Sequence, residues 1–313
     1  MTNYAYVFPG QGSQSVGMMT DWGDDQATVT DIFNEASDNL GYDLWSLVSN
    51  GPEDRLNQTR ITQPAMLCAG VASWRVASAQ PGMPAASMMA GHSLGEYTAL
   101  VCGGSIDLGD AVKLVALRGD LMQSAVGLGE GAMAAIIGLS DEDVIKACSL
   151  VDNGVVEAVN FNAPGQVVIA GETAAVEAAR EQAKALGARL ARELPVSVPC
   201  HCSLLKDAAQ QLAEELESIS IEMPRVPIIH NQSATIADSV DEIRERLHLQ
   251  FYQPVKWVAS VRAMQQQGIE CLIECGPGKV LSSLTRRIEK SLQAHAIFDA
   301  ASLTSTLQAM GEN

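Results

Sequence analysis

Short apolar runs and amphipathic stretches alternate along the chain. Tyr4 to Phe8 is a brief aromatic and β-branched run that breaks at Pro9-Gly10-Gln11-Gly12, so it predicts a strand emptying into a glycine-rich loop. Apolar positions then recur at helical spacing over Thr28 to Leu40, Gln63 to Ala79, Leu94 to Cys102 and Leu108 to Ser124, with a small buried strand at Ser87 to Ala90. Breaks at Gly127, Gly129 and Gly131 open a different texture. Met133 to Leu139 reads as a strand, Asp141 to Leu150 as a helix capped by Ser140 or Asp141, and Val155 to Phe161 and Val167 to Ala170 as strands. Helix Thr173 to Leu186 and strand Ala188 to Val196 complete the order βαββαβ, which predicts a ferredoxin-like unit of about 70 residues. We therefore expect an insert over residues 127–197, carried by a discontinuous large domain made of 1–126 and 198–313.

Past Pro199 the pattern gives a helix over Leu204 to Leu216, a strand at Val226 to Ile229, helices over Ser239 to Leu247 and Val258 to Gln267, and a strand at Ile269 to Glu274. Gly276-Pro277-Gly278 then turns into one long last helix. Strands alternating with helices imply an α/β protein whose sheet is mostly parallel and covered.

Composition narrows the partners. Among 313 residues, 20 are Lys or Arg and 37 are Asp or Glu, a formal net charge of −17 that argues against nucleic acid or an anionic membrane as the main partner. Charged residues are 18% of the chain and hydrophobic ones 47%, which suits a packed fold and not a disordered one. The seven cysteines are dispersed with no CxxC pair, as reduced thiols of a cytoplasmic protein would be. The first residues lack a basic region followed by a long apolar one, and no apolar run approaches a membrane span, so a soluble location is expected.

Gly91-His92-Ser93-Leu94-Gly95 is a GxSxG between a predicted strand and a predicted helix, the setting in which that pattern makes a nucleophile elbow. A serine hydroxyl needs a base, and the five histidines are His92, His201, His230, His248 and His295. His92 adjoins the serine, so the turn directs it elsewhere, to brace the turn or line a pocket. His248 and His295 read as surface residues. His201, where the chain re-enters the large domain, and His230, at a strand end, both stay open as the base. Cys200 and Cys202 flank His201, but on an extended segment their side chains and the imidazole would face opposite ways, which disfavours zinc. Arg118 falls on the apolar stripe of its helix with Ala111, Leu114, Val115 and Met122, so it needs an anion, either a protein carboxylate such as Glu96 or a ligand carboxylate. The Gly10-Gln11-Gly12 loop lacks the pattern of a phosphate cradle, and the amides of Gln11 and Leu94 suit an oxyanion better.

Phe8-Pro9-Gly10-Gln11-Gly12-Ser13-Gln14, Gly91-His92-Ser93-Leu94-Gly95-Glu96-Tyr97, Arg118-Gly119 and Pro199-Cys200-His201, in that order, resemble the malonyl-CoA:acyl carrier protein transacylase family. So do Asn160-Phe161-Asn162-Ala163-Pro164-Gly165-Gln166, the stretch from Gln250 to Trp257, and Glu274-Cys275-Gly276-Pro277-Gly278. The resemblance covers nearly the whole chain. It implies an α/β-hydrolase-like large domain, Ser93 as nucleophile, His201 as its base oriented by the backbone carbonyl of Gln250, oxyanion amides from Gln11 and Leu94, and Arg118 as the partner of the malonyl carboxylate. It implies malonyl-CoA and acyl carrier protein as partners, no cofactor and no metal, in fatty acid biosynthesis. Cys200 stands where relatives often carry another residue, which bears on acyl selectivity. The alternatives are a polyketide-type acyltransferase of other selectivity, a serine esterase or thioesterase whose triad an aspartate and His230 or His295 complete, and a docking module without catalysis. An acidic carrier would need local cations, and Arg180, Lys184, Arg189 and Arg192, or Lys279, Arg286, Arg287 and Lys290, are the candidates.

Overall fold

The computed structural model describes residues 2–127, 129–196 and 198–311. Its elements in chain order are β1 (Tyr4–Phe8), α1 (Gln26–Leu40), α2 (Leu44–Asn50), α3 (Glu53–Leu56), α4 (Thr59–Ala79), β2 (Met88–Gly91), α5 (Leu94–Cys102) and α6 (Leu108–Ser124). Next come β3 (Gly131–Ile137), α7 (Asp141–Ser149), β4 (Val156–Ala163), β5 (Gln166–Glu172), α8 (Thr173–Ala185) and β6 (Leu190–Glu193). The chain then forms α9 (Lys206–Ser218), β7 (Ile228–Ile229), α10 (Val240–Tyr252), α11 (Trp257–Gln266), β8 (Cys271–Cys275), α12 (Val280–Ile288), β9 (Gln293–Ile297) and α13 (Ala300–Gly311).

Two sheets result. The larger has the order β7-β2-β1-β8-β9 with every pairing parallel; the smaller has the order β4-β5-β3-β6 with every pairing antiparallel. In the large sheet β1 is central, and Ala5, Val7 and Phe8 are fully buried because helices cover both faces. One face packs on a core that includes Phe33, Leu67, Tyr97 and Val115, the other on one that includes Val255, Trp257, Val261 and Leu281. Helix α4 is buried nearly all round, as a helix in the middle of a core must be.

Three expectations need correction. The helix expected from Gln63 begins at Thr59 and carries Pro64 inside it, so packing around a buried helix outweighs the lost backbone donor. The long last helix is instead α12, the edge strand β9 and α13. Pro199 to Cys202 is a turn with His201 at φ 64°, not an extended segment, so the alternation used against zinc does not describe it. The expected insert boundary at 197 falls on Ser197, which lies outside the described residues.

Candidate active site

The parallel strands β1, β2 and β7 deliver three loops to one edge of the large sheet: Pro9 to Gln14, His92-Ser93, and His230-Asn231. Loops at the carboxyl ends of such strands are where an open α/β sheet leaves a crevice. Here the crevice is a cavity of about 460 Å³ whose walls include Gln11, Ser93, Arg118 and His201 from the large-sheet side and Met133 and Asn160 from the small sheet. Its size is that of an ordinary small-molecule site.

Ser93 stands between β2 and α5 at φ 52° and ψ −110°, a conformation costly for a residue with a side chain. The turn holds because its flanking glycines leave no room for a Cβ. One added at Gly91 would stand 1.9 Å from the Gly95 carbonyl carbon, and one at Gly95 would stand 2.0 Å from the Phe8 oxygen. Asn231 braces the turn from β7: its Oδ1 accepts the Ser93 N–H at 2.6 Å and its Nδ2 donates to the Gly91 carbonyl at 2.6 Å.

Ser93 Oγ lies 2.7 Å from His201 Nε2, and His201 Nδ1 lies 2.7 Å from the Gln250 carbonyl oxygen. A carbonyl only accepts, so Nδ1 carries the proton, Nε2 is bare, and the serine hydroxyl donates to it. That carbonyl is free for a simple reason. It lies in the last turn of α10, where carbonyls lose their helical partners, and the residue four positions on is Pro254, which has no N–H to give. Burial, then the nearby Arg118 charge, hold the His201 imidazole down at about 3, so it is neutral at physiological pH.

Arg118 projects from the buried stripe of α6 and is 1% exposed. Its Nη1 donates to Gln63 Oε1 at 2.9 Å, and its Nη2 donates to Gln250 Oε1 at 3.0 Å and to Ser93 Oγ at 3.2 Å. Its Nε has no hydrogen-bond partner among the described residues, and the guanidinium carbon lies 5.3 Å from the centroid of the Tyr97 ring. None of the ion pairs among the described residues includes it. The direct pairing with Glu96, one of the two options left open by the sequence, is not formed. Glu96 instead accepts from His230 Nδ1 at 2.7 Å, the Asn231 N–H at 2.9 Å and Gln250 Nε2 at 3.1 Å. His230 is outside the cavity lining and buried against Glu96, and the imidazole that meets Ser93 Oγ is that of His201.

The other sequence candidates fall into place around this centre. Gln11 and Leu94 both line the cavity, and neither backbone N–H is spent on a hydrogen bond to a described residue. His92 turns away from Ser93 and meets Asn162 Oδ1 of β4 at 2.8 Å, so it ties the two sheets together beside the cavity. Burial lowers its pKa. His248 is half-buried against Tyr252, and His295 lies on the edge strand β9; neither lines the cavity. All seven cysteines are free, and Cys200 lines the cavity next to His201 with its thiol pushed up to about 11 by burial. Arg180 and Lys184 are occupied by Glu177 and Glu181, whereas Lys279 and Arg287 border a second, open cavity of about 350 Å³. Sequence reasoning did not find Gln63 or Asn231. The available signal was a polar residue inside an apolar helix and an Asn two positions past a buried strand.

Residues 5–309 match the acyl transferase domain family. The chain is 53% identical over 309 residues to the malonyl CoA-acyl carrier protein transacylase of Escherichia coli, covering 98% of this chain and all of that one. Among solved structures it is similar to an acyl carrier protein S-malonyltransferase from Vibrio cholerae, at a TM-score of 0.94 and 52% identity, covering 97% of this chain and 100% of that one. It is equally similar to a malonyl-transacylase in complex with a type II PKS acyl-carrier protein, at a TM-score of 0.96 and 51% identity over 98% of this chain and 100% of the other. A serine at a strained elbow, a neutral imidazole against its hydroxyl and a buried guanidinium without a carboxylate thus coincide with end-to-end similarity, and the chain belongs to the acyl transferase domain family, among the malonyl-CoA:acyl carrier protein transacylases.

Proposed function

We propose that the protein transfers the malonyl group from malonyl-CoA to the phosphopantetheine thiol of an acyl carrier protein through a malonyl-serine ester. The observation that carries the reading is the buried Arg118 guanidinium, which has no carboxylate partner and donates to the nucleophile's own Oγ at 3.2 Å. A site for an uncharged acyl group has no use for such a cation, because a stranded charge costs several kcal/mol.

In the first half-reaction Ser93 Oγ attacks the thioester carbon while His201 Nε2 takes its proton. The oxyanion that forms accepts from the Gln11 and Leu94 amides, at the N-terminus of α5 where negative charge is favoured. The carbon–sulfur bond then breaks, and CoA leaves as a thiol with the proton returned by His201. The second half-reaction runs the same steps with the carrier's thiol as nucleophile. A thioester is exchanged for an ester and back, so equilibrium needs no driving; what matters is keeping water from the ester, and the cavity between the two sheets serves that end. No step calls for a metal or a cofactor.

The finer architecture follows the same reading. The large sheet and its helices form an α/β-hydrolase-like domain of residues 1–126 and 198–313. The βαββαβ unit with its antiparallel order β4-β5-β3-β6 is a ferredoxin-like insert over 127–197. Lys279 and Arg287, beside Gln166 of β5, offer an acidic carrier local cations against the net charge of −17. We assign the enzyme to the cytoplasm and to fatty acid synthesis. No described helix is long and apolar enough to cross a membrane. A polyketide carrier is the second reading, favoured by the partner in the 51%-identical complex.

Incubation with malonyl-CoA alone, followed by intact mass measurement, tests the proposal. A stable malonyl adduct on Ser93 that discharges onto added carrier protein is expected. Steady release of free malonate without carrier would make the protein a hydrolase, and no adduct would remove the nucleophile.

A further inference from the structure

Arg118 poses a problem of charge balance. A carboxylate paired directly with it would offset the buried cation but would also fill the fork that an acyl carboxylate needs. The fold avoids both outcomes by inserting one amide. Glu96 is fully buried, and Gln250 bridges it to Arg118: Gln250 Nε2 donates to Glu96 Oε2 at 3.1 Å, and Gln250 Oε1 accepts from Arg118 Nη2 at 3.0 Å.

The amide has only one workable orientation. Its NH2 group also donates to the Ser93 carbonyl at 2.8 Å, so turning it over would set that group against the guanidinium and its oxygen against two other oxygens. Glu96 is itself immobilised by His230 Nδ1 and the Asn231 N–H, and Asn231 in turn holds the Ser93 elbow. Anion, amide and cation form a line in which each dipole strengthens the next, in surroundings that screen them poorly.

We propose that Glu96 is a positioning residue for acyl selectivity: a remote counter-charge that locks the Gln250 amide, so that Arg118 is balanced yet left open to the acyl carboxylate. The inference rests on reading Arg118 as the carboxylate-binding group. It assigns the choice of a dicarboxylic acyl group to a residue that touches neither substrate nor nucleophile side chain.

The test is Glu96→Gln in the full chain, which keeps shape and removes charge. Malonyl-CoA, acetyl-CoA and the neutral serine reagent phenylmethanesulfonyl fluoride are the three probes. The malonyl-to-acetyl ratio of kcat/KM is expected to fall about tenfold, the scale of one hydrogen bond to a charged group, mainly through a higher malonyl KM. Ser93 should react with the sulfonyl fluoride at the wild-type rate. An unchanged ratio overturns the proposal, and so does an equal fall with all three reagents, which would make Glu96 only a brace for the elbow. If Glu96→Gln does not fold, Gln250→Glu decides, because it sets a carboxylate directly against Arg118. It should then depress malonyl loading more than acetyl loading, and an unaltered ratio overturns the proposal. A wild-type protein that forms no malonyl adduct overturns the transacylase reading, and this inference with it.

Discussion

At the end of β2 and at the end of β8 the chain makes the same kind of turn. A buried parallel strand runs into a glycine-containing loop, a helix starts, and a fully buried glutamate stands beside it: Glu96 in the first turn of α5 and Glu274 in β8. The partners differ. Glu274 accepts from the Leu281 and Ser282 N–H groups and from Ser282 Oγ, all in the helix it caps. Glu96 accepts from residues of the β7 loop and of α10, and through Gln250 it is linked to Arg118. A buried charge satisfied within its own turn stabilises a helix; one satisfied by remote elements fixes those elements relative to each other, and that is what a site needs.

The difference is open to direct attack. The largest expected effect is at the β2 turn: Ser93→Ala should abolish the acyl adduct seen by intact mass while the urea midpoint stays near wild type, since a small side chain at the turn contributes little packing. Ser282→Ala in the β8 turn should leave the adduct intact, and an adduct that persists in Ser93→Ala would end the comparison.

Arg118→Ala comes next. Stranding one partner of a buried ion pair costs about 2 to 4 kcal/mol, so malonyl should lose roughly 30- to 1000-fold in kcat/KM relative to acetyl. Arg118→Lys should recover only part, because an ammonium lacks the planar fork. Equal losses for both acyl groups, in a folded variant, would make Arg118 structural like Glu274.

A smaller effect concerns acid. The proposed base His201 acts when neutral, and its pKa is lowered from 6.5 to about 3 by burial and then by Arg118. The kcat/KM for malonyl-CoA should therefore show no acid limb near 6.5, and Arg118→Met should move the limb up toward neutrality. The same depression has a stability sign: the unfolded chain takes up the proton first, so this group's contribution falls as pH drops below 6.5. Urea titrations of wild type and His201→Gln should converge over that window; parallel curves would refute the linkage.

Smallest in activity and plain in stability is Glu274→Ala. It leaves the Leu281 and Ser282 N–H groups without their acceptor, while Ser282 Oγ keeps the His295 carbonyl, and should cost about 1 to 3 kcal/mol in urea, with transfer per folded molecule unchanged. A selective loss of malonyl transfer there would erase the contrast between the two turns.

The elbow was legible because its cues are local: a buried strand, two glycines two residues either side of a serine, and a helix directly after. Arg118 was legible from its place on an apolar stripe. The Glu96 network was not, since Gln250 lies 154 positions away and only the fold brings it near. His230 read as a base candidate for the same reason; nothing in its neighbours reveals that Glu96 occupies its ring. At the end of the chain the apolar spacing of Leu281, Leu284, Ile288 and Leu292 continues past the point where α12 stops, which made one helix out of two and hid β9. An edge strand with the sequence Gln-Ala-His-Ala-Ile carries too weak an alternation to announce itself. The insert read more easily because short apolar runs such as Gly131–Ile137 are separated by glycine-containing turns and its first helix opens on a Ser140 cap.

The position of β1 has a consequence for how the molecule comes into being. This strand near the start of the chain is hydrogen-bonded on one side to β2 and on the other to β8, more than 260 residues later, and the carbonyl that orients His201 belongs to residue 250. During synthesis Ser93 therefore emerges from the ribosome long before Gln250 can orient His201, Asn231 can brace the elbow, or β8 can flank β1 on its second side. The contacts that bring His201 and Ser93 into register thus belong to the long-range pairings, the class that forms slowly.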